Sequence, residues 1–385
     1  VLASPLRRRS GRPAMSSPVA SGTRATGPRL CRWWTSATTT PSALSSADEG
    51  PQPDQTTNLD ERQATDVLLP GDLEISVWAE GPMLSRPLSM DTDHAGRVWI
   101  AERHSTAQNP RGSRIRILED KDRDGEADES HIFLEDGTHE GPLEISVFGN
   151  RLVAFNPPHL TVYTDINKNL IFEPEIDKRE NILTGFKRPE NAQGLQEIIG
   201  GPDGRWYFGH DHSGAELKDR SGVNFIVTGP PENEVPEKAE NPRDLTGRTS
   251  GDGKVWVGGF TAGVNTDGSG MRIMGHGLHR SLGQTVTSFG DMFHSDRSDT
   301  GSCRITWLME GGFLGFLSPD GTRTWQVDQR PGQPDSEAEW RQWDPGTLPP
   351  GDTYRKGAPS GMCFYENGAL PDRYAGLLTS CDPQR

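Results

Sequence analysis

The residues best suited to chemistry in this chain are histidines with acids or cations beside them. His210, Asp211 and His212 are consecutive. His276 and His279 precede Arg280, His294 stands two residues before Asp296, and Arg103 is followed by His104. An imidazole can take or give a proton near neutral pH, and a carboxylate beside it can orient it. A set of His, Asp and Arg gathered in one cleft suits proton abstraction from an alcohol, or metal binding. Ordinary loop composition accounts for the same residues equally simply.

A second group is Asp120-Lys121-Asp122-Arg123-Asp124-Gly125-Glu126-Ala127-Asp128. Carboxylates at alternate positions, a Gly at the sixth and an acid at the ninth match the start of a calcium loop. Asp120, Asp122, Asp124 and Asp128 are the candidate ligands. Position twelve is His131, so this is not a complete EF-hand, and a solvated acidic hairpin loop is the plainer alternative. Asp165-Ile166-Asn167-Lys168-Asn169 is a degenerate echo in which Leu170 replaces the Gly. Asn191 and Gln193, within Arg188–Leu195, either line a polar pocket or satisfy buried backbone at a strand entry. Cys303–Phe316 is the most apolar stretch and reads as core, with Gly311 and Gly312 in a turn or a close approach. No G-x-S-x-G, Walker, H-E-x-x-H or C-x-x-C-H motif occurs, which weakens serine-hydrolase, nucleotide-hydrolase, zincin and haem-bearing readings.

These residues need a scaffold that brings distant parts of the chain together. Asp93–Ile100, Pro202–Phe208, Gly251–Val257 and Ser288–Phe293 repeat one phrase, strand, Gly-containing turn, strand with an aromatic, and Gly149–Val153 is a fifth candidate. Such turns need φ > 0 and mark hairpins. Their glycines, Gly96, Gly149, Gly204, Gly253 and Gly290, recur at steps of 53, 55, 49 and 37 residues, near the roughly fifty of a propeller blade. The expected fold is therefore all-β: a β-propeller of four-stranded antiparallel blades, about six of them over residues 69–385. A β-sandwich with similar turns is the alternative. In a propeller the histidines that follow second strands surround one mouth of the central channel. The long Gly/Pro-rich stretches 229–250 and 330–359 should decorate one face.

Composition agrees. Among 385 residues, Gly 45 and Pro 30 are too many for a helical bundle. Hydrophobic residues make up 32%, and no apolar run approaches the roughly 20 residues of a spanning helix. A net charge of −15 argues against a general nucleic-acid binder. Residues 1–68 read as a disordered or artefactual leader and linker, without the apolar core of a secretory signal. More chain is expected beyond Arg385, because a sheet ending there would leave an open edge. Of the four cysteines, Cys363 and Cys381 offer one cross-strand disulfide.

Several ordered phrases carry a family likeness: Gly96–Glu102, Ile117–Asp120, Glu190–Leu195, Gly290–Asp296, Thr306–Gly311, Asp320–Gln326, Arg330–Gln333, Pro359–Met362 and Leu370–Gly376. Across roughly residues 69–385 the chain resembles the bacterial membrane-bound dehydrogenase-type propellers, common in planctomycete-type bacteria and often joined to a c-type haem domain. That family is similar in turn to the soluble glucose/sorbosone dehydrogenases, which use pyrroloquinoline quinone (PQQ) and calcium. The resemblance implies a periplasmic or cell-envelope enzyme that removes hydride from a sugar or other alcohol. It implies a cytochrome c domain or partner as electron acceptor. It also implies a His base, here His210 or His212 with Asp211, and a cofactor pocket drawn from Arg103, Asn191, Gln193, His279, Arg280 and His294. Gly277–Gly283 departs from the relatives' Gly-Leu-Arg-Asn-Pro-x-Gly run at His279, Arg280 and Ser281. A non-catalytic propeller binding a glycan or protein is the second reading. A metal-dependent lactonase, with Glu102 and Asn191 at its cation, is the third.

Overall fold

The structure is a computed structural model that describes residues 2–3, 73, 76–104, 112–136, 144–186, 195–230, 247–298, 300–354 and 359–381. β1 (Leu2–Ala3) pairs with β2 (Val77–Ala79). The rest of the expected leader, with Asn191 and Gln193, lies outside the described residues.

The first sheet is a meander of β3 (Pro87–Thr92), β4 (Val98–Arg103), β5 (Ser113–Glu119) and β6 (Glu129–Asp136). The second opens with β7 (Glu144–Phe148), β8 (Arg151–Asn156), β9 (His159–Thr164) and β10 (Lys178–Thr184). The third starts with β11 (Leu195–Gly200) and β12 (Trp206–His210). The chain then leaves it for β13 (Ala215–Lys218), β14 (Asn224–Thr228) and β15 (Trp256–Val257), which extend the second sheet beyond β10. It returns as β16 (Gly259–Val264) and β17 (Arg272–Leu278). The fourth sheet is β18 (Arg280–Val286), β19 (Met292–Arg297), β20 (Cys303–Leu308) and, after an insertion, β22 (Asp352–Tyr354). The insertion places β21 (Gly312–Phe313) on β17 and carries α1 (Trp325–Asp328) and α2 (Asp335–Ala338). β23 (Ser360–Phe364) and β24 (Leu378–Cys381) form the fifth sheet.

The arrangement of these sheets makes the chain a β-propeller. Each first strand packs on the first strand of the next sheet: β3 on β7, β7 on β11, β11 on β18, β18 on β23. Side chains stitch this inner row together. Ser89 Oγ donates to Glu144 Oε1 at 2.9 Å, and Val147 N–H donates to Asp91 Oδ2 at 2.8 Å. Ser146 Oγ donates to Ile198 O. Gln284 bonds Glu197 twice, through its backbone N–H at 2.7 Å and its side-chain Nε2 at 2.9 Å. Phe364 N–H reaches Thr285 Oγ1 at 3.3 Å.

A strand sandwiched between sheets is apolar on both faces. β4 shows it: Trp99 and Ala101 enter the core between the first and second sheets, while Val98 and Ile100 enter another with Trp78 and Leu84. Its opening turn is clasped by Asp93, which accepts Ala95 N–H (2.9 Å), Arg97 N–H (3.1 Å), Arg97 Nε (2.6 Å) and Trp99 Nε1 (3.1 Å). Asp93→Ala is expected to cost about 1–3 kcal/mol in urea unfolding, because buried donors lose their acceptor.

The structure also revises the repeat. The turns at Gly96, Gly149, Gly204 and Gly290 join first to second strands, but Gly251–Val257 leads into β15 of the added strands. It marks an excursion, not a blade, which explains why the steps around Gly253 were the short ones. Cys303–Phe316 is core only in part. Cys303, Ile305, Leu308 and Leu314 are buried, while Trp307 and Met309 are exposed at the sheet's far end. Gly311 turns the chain at φ 74°, and Gly312 lies against Leu348. The Cys363–Cys381 disulfide does not form: Cys363 lies opposite Thr379, Cys381 lies opposite Ser360, and Cys381 is outside any disulfide.

Candidate functional site

In these antiparallel meanders the second strands end, and the following first strands begin, at one edge of the ring. That edge holds the ends of β4, β12 and β19 and the start of β18. Arg103 is exposed there, and His104 Nε2 lies 3.4 Å from Glu135 Oε1. Glu102 points inward. It accepts Ser85 N–H at 2.8 Å and is gripped by Arg114 and Arg116. Burial raises its pKa, but these donors outweigh burial and hold it below the usual range. Two guanidinium groups already balance it, which disfavours the cation-ligand part given to it in the lactonase reading.

The third and fourth sheets bring most of the other candidates together. His210 is fully buried and stacked between Phe260 (5.1 Å) and Phe186 (6.0 Å). Its Nδ1 lies 2.9 Å from Asp211 O. His212, half-buried, places Nδ1 3.0 Å from His279 O, and the two imidazoles lie 4.6 Å apart. His279 is buried, stacked on Phe316 at 4.1 Å, with Nδ1 2.9 Å from Arg297 O. A carbonyl oxygen only accepts, so Nδ1 carries a proton in all three rings, and in the neutral imidazole Nε2 then holds the lone pair. Asp211 braces the turn below His212: its Oδ1 accepts Ser213 N–H at 2.9 Å and also the Ser213 hydroxyl.

Asp296 fixes the β17–β18 corner. It accepts His279 N–H at 3.2 Å and Arg280 N–H at 2.8 Å, and Arg304 Nη2 lies 3.3 Å away. Burial pushes it up to about 6 against the pull of Arg304 and the two amides. Arg304 is itself fully buried, 3.8 Å over the Trp340 ring. Arg280 is exposed beside this corner. His294 is fully buried two residues inward of Asp296, where burial drives it down to about 3. His276 packs on Trp256 and accepts Val257 N–H at 3.3 Å, and burial lowers it to about 4. Of the imidazoles on the third and fourth sheets, then, only His212 reaches solvent appreciably. Arg304, Phe316 and Trp340 were not anticipated, nor was Glu339, whose Oε1 lies 4.0 Å from His279 Nδ1. An Arg inside the apolar run Cys303–Leu308 was the available signal. Glu339 comes from the insertion, whose sequence has no period to read.

The acidic loop joins β5 to β6. One carboxylate oxygen from each of Asp120, Asp122 and Asp124 lies within 4.8 Å of the others. Each also holds a loop amide: Gly125 N–H on Asp120, Asp124 N–H on Asp122, Glu126 N–H on Asp124. Asp120 Oδ1 is buried without a hydrogen-bond partner among the described residues. Asp128, outside that converging group, accepts Lys121 and Asp122 N–H. The echo loop joins β9 to β10 in the same way. Leu170 N–H bonds Asp165, Asn169 N–H bonds Asn167, and Ile171 N–H bonds Asn169. There the Asn167 and Asn169 amides hold Glu173 at 2.8 and 2.7 Å.

DUF7133, a domain of unknown function, matches residues 60–232. No curated protein matches the chain. Loose structural overlaps are found with several solved proteins. The PQQ-bound aldose sugar dehydrogenase of Streptomyces coelicolor shares 14% identity, with 72% of this chain and 71% of that one covered and a TM-score of 0.43. The pyranose dehydrogenase PQQ domain of Coprinopsis cinerea shares 13%, with 74% and 69% covered and a TM-score of 0.46. The calcium structure of the Trichoderma reesei family AA12 enzyme shares 12%, with 74% and 72% covered and a TM-score of 0.46.

Proposed function

We propose that residues 69–385 form one propeller, of six blades, that oxidises a sugar or other alcohol as a quinoprotein-type dehydrogenase. The observation that carries this reading is the tautomer-fixed histidine group at one edge of the ring, with His212 the member open to solvent. PQQ carries three carboxylates, so it needs cationic donors at an open surface. Arg280 and Arg103 are exposed at that edge and fit this demand, whereas the buried Arg304 does not. When bound, the quinone supplies the two-electron acceptor for the substrate C–H bond. Arg280 and Arg103 would hold its carboxylates. His212 Nε2 would take the substrate hydroxyl proton, with Nδ1–H anchored on His279 O. Asp296 and Arg304 would keep the His279–Arg280 corner in place.

Binding of PQQ to the full chain, followed by calorimetry with and without calcium, tests this. The expected result is saturable binding that Arg280→Glu weakens at least tenfold. No binding by the folded protein overturns the redox reading. The burial of His210, His279 and His294 favours the second reading, a non-catalytic propeller that binds a glycan or protein.

Calcium at Asp120, Asp122 and Asp124 belongs to the same proposal, supported by the unpartnered Asp120 Oδ1. Millimolar calcium is expected to raise the melting temperature by a few degrees, and Asp122→Asn with Asp124→Asn to remove that rise. An equal rise in the double variant would place calcium elsewhere. Among the described residues no helix is long and apolar enough to cross a membrane. Placement in the periplasm or envelope, and a cytochrome c domain or partner, stay with this proposal on the family likeness alone.

A further inference from the structure

The seams between consecutive sheets differ in kind. An apolar cluster joins the first sheet to the second, including Trp99, Ile115, Ile145 and Leu152. A larger one joins the second to the third, including Val153, Phe155, Trp206 and Phe260. Among the described residues, the apolar cluster between the third and fourth is smaller: Tyr207, Leu278, Met292, Leu308 and Leu314, with a few partly buried neighbours.

The rest of that seam is polar, and Gln284 bonds Glu197 twice across it. Along β19, Met292, His294 and Asp296 share a face, and across β20 they stand opposite Leu308, Thr306 and Arg304. Gln284 and Ser281 of β18 extend the same two rows. This face looks at the third sheet. A Cβ on Gly275 would strike Leu308, and one on Gly209 would strike Ser281 Oγ. Thr261 of β16 looks back from the other side, because Phe260 and Ala262 beside it enter the opposite core.

Ser281 Oγ, Gln284 Oε1, both ring nitrogens of His294, Arg304 Nε and Nη1, Thr306 Oγ1 and Thr261 Oγ1 are all buried. None has a hydrogen-bond partner among the described residues. Buried polar groups are normally satisfied, and each one left unmade costs stability. Nothing among the described residues satisfies these atoms while the seam is closed, and bulk water reaches all of them once the sheets part.

We propose that the seam between the third and fourth sheets is the ring's opening joint, parting transiently to admit water while the two seams before it stay shut. The opening hydrates Arg304, His294 and Thr306 and exposes the inner side of the His279–Arg280 corner. It does not depend on the dehydrogenase reading.

Cysteine reactivity tests it. Ser281→Cys reports this seam, and Ala262→Cys, buried in the apolar core, reports the seam between the second and third sheets. Both would be treated with iodoacetamide under native conditions and read by peptide mass spectrometry, which separates them from the native cysteines. The expected result is labelling at 281 at least tenfold faster than at 262. Adding Thr306→Val, which removes one unsatisfied hydroxyl, should raise the melting temperature and slow labelling at 281 at least threefold. Should Ser281→Cys not fold, Thr306→Cys reports the same seam on its own peptide. Equal rates at the two seams, or Thr306→Val lowering the melting temperature without slowing the labelling, overturns the proposal.

Discussion

Lowering the pH from 7 to 4 is expected to remove about 4 kcal/mol of folding stability, a large part of what a domain ordinarily has. Two buried histidines drive the loss. His276 is lowered from 6.5 to about 4 and His294 to about 3, both chiefly by burial. Lys254 lies near the first and Arg304 near the second, and each adds to the lowering. A base with a depressed pKa in the folded state binds its proton more readily when unfolded. Its contribution is whole above 6.5 and drains away as pH falls toward the folded value. By pH 4 each histidine has lost about 3 kcal/mol, at roughly 1.4 kcal/mol per pH unit. Asp296 works the other way. It is raised to about 6, so between 6 and its ordinary 3.8 the folded state gains protons first, which returns about 2 kcal/mol. Urea unfolding at pH 4, 5, 6 and 7 measures the sum. His294→Gln should flatten the curve by about 3 kcal/mol between pH 7 and 4; an unchanged slope would mean that His294 is hydrated in the folded state.

Asp296→Ala is expected to destabilise the protein by about 3–5 kcal/mol, because it strips the two buried corner amides and Arg304 of their shared acceptor, which a protonated carboxyl does not. The carboxylate and the guanidinium are both fully buried, and the carboxylate also holds two backbone amides at the corner of the candidate site. Taking the pair out of water is costly, as the raised Asp296 pKa attests. Removing both charges should therefore hurt less than removing one. Asp296→Ala combined with Arg304→Met is expected to recover the part of the loss that comes from the unpaired guanidinium, in a double-mutant cycle monitored by thermal unfolding. Additive losses would show that the two side chains do not interact.

The sequence made the propeller legible because its hairpin turns carry their own chemistry. Asp93, Gly96 and Trp99 are a clasp that works wherever it occurs, and the related turns at Gly149, Gly204 and Gly290 each open a sheet. The same local chemistry misled at Gly253. Asp252 bonds Trp256 Nε1 there at 2.9 Å, much as Asp93 bonds Trp99. A turn reports its own hydrogen bonds and not the sheet that its strands will join. The site was legible in part for a similar reason. Strand ends placed His210, His212, His279 and Arg280 at one edge, as the order of strands requires. Which of them would be covered depended on Phe186, Phe260 and Phe316, distant residues that no spacing could connect to them. The acidic stretch is a loop, and the convergence of Asp120, Asp122 and Asp124 within it is a matter of loop geometry that residue type alone does not give.

The most direct test of the central claim is dye-linked oxidation of a panel of aldoses by the full chain loaded with PQQ and calcium, comparing wild type with His212→Gln and His210→Gln. The account predicts PQQ-dependent turnover that falls at least a hundredfold in His212→Gln, in kcat more than in KM. Loss in His210→Gln should track loss of folded protein. Turnover that survives His212→Gln unchanged, or no turnover from protein that demonstrably binds the quinone, would contradict it.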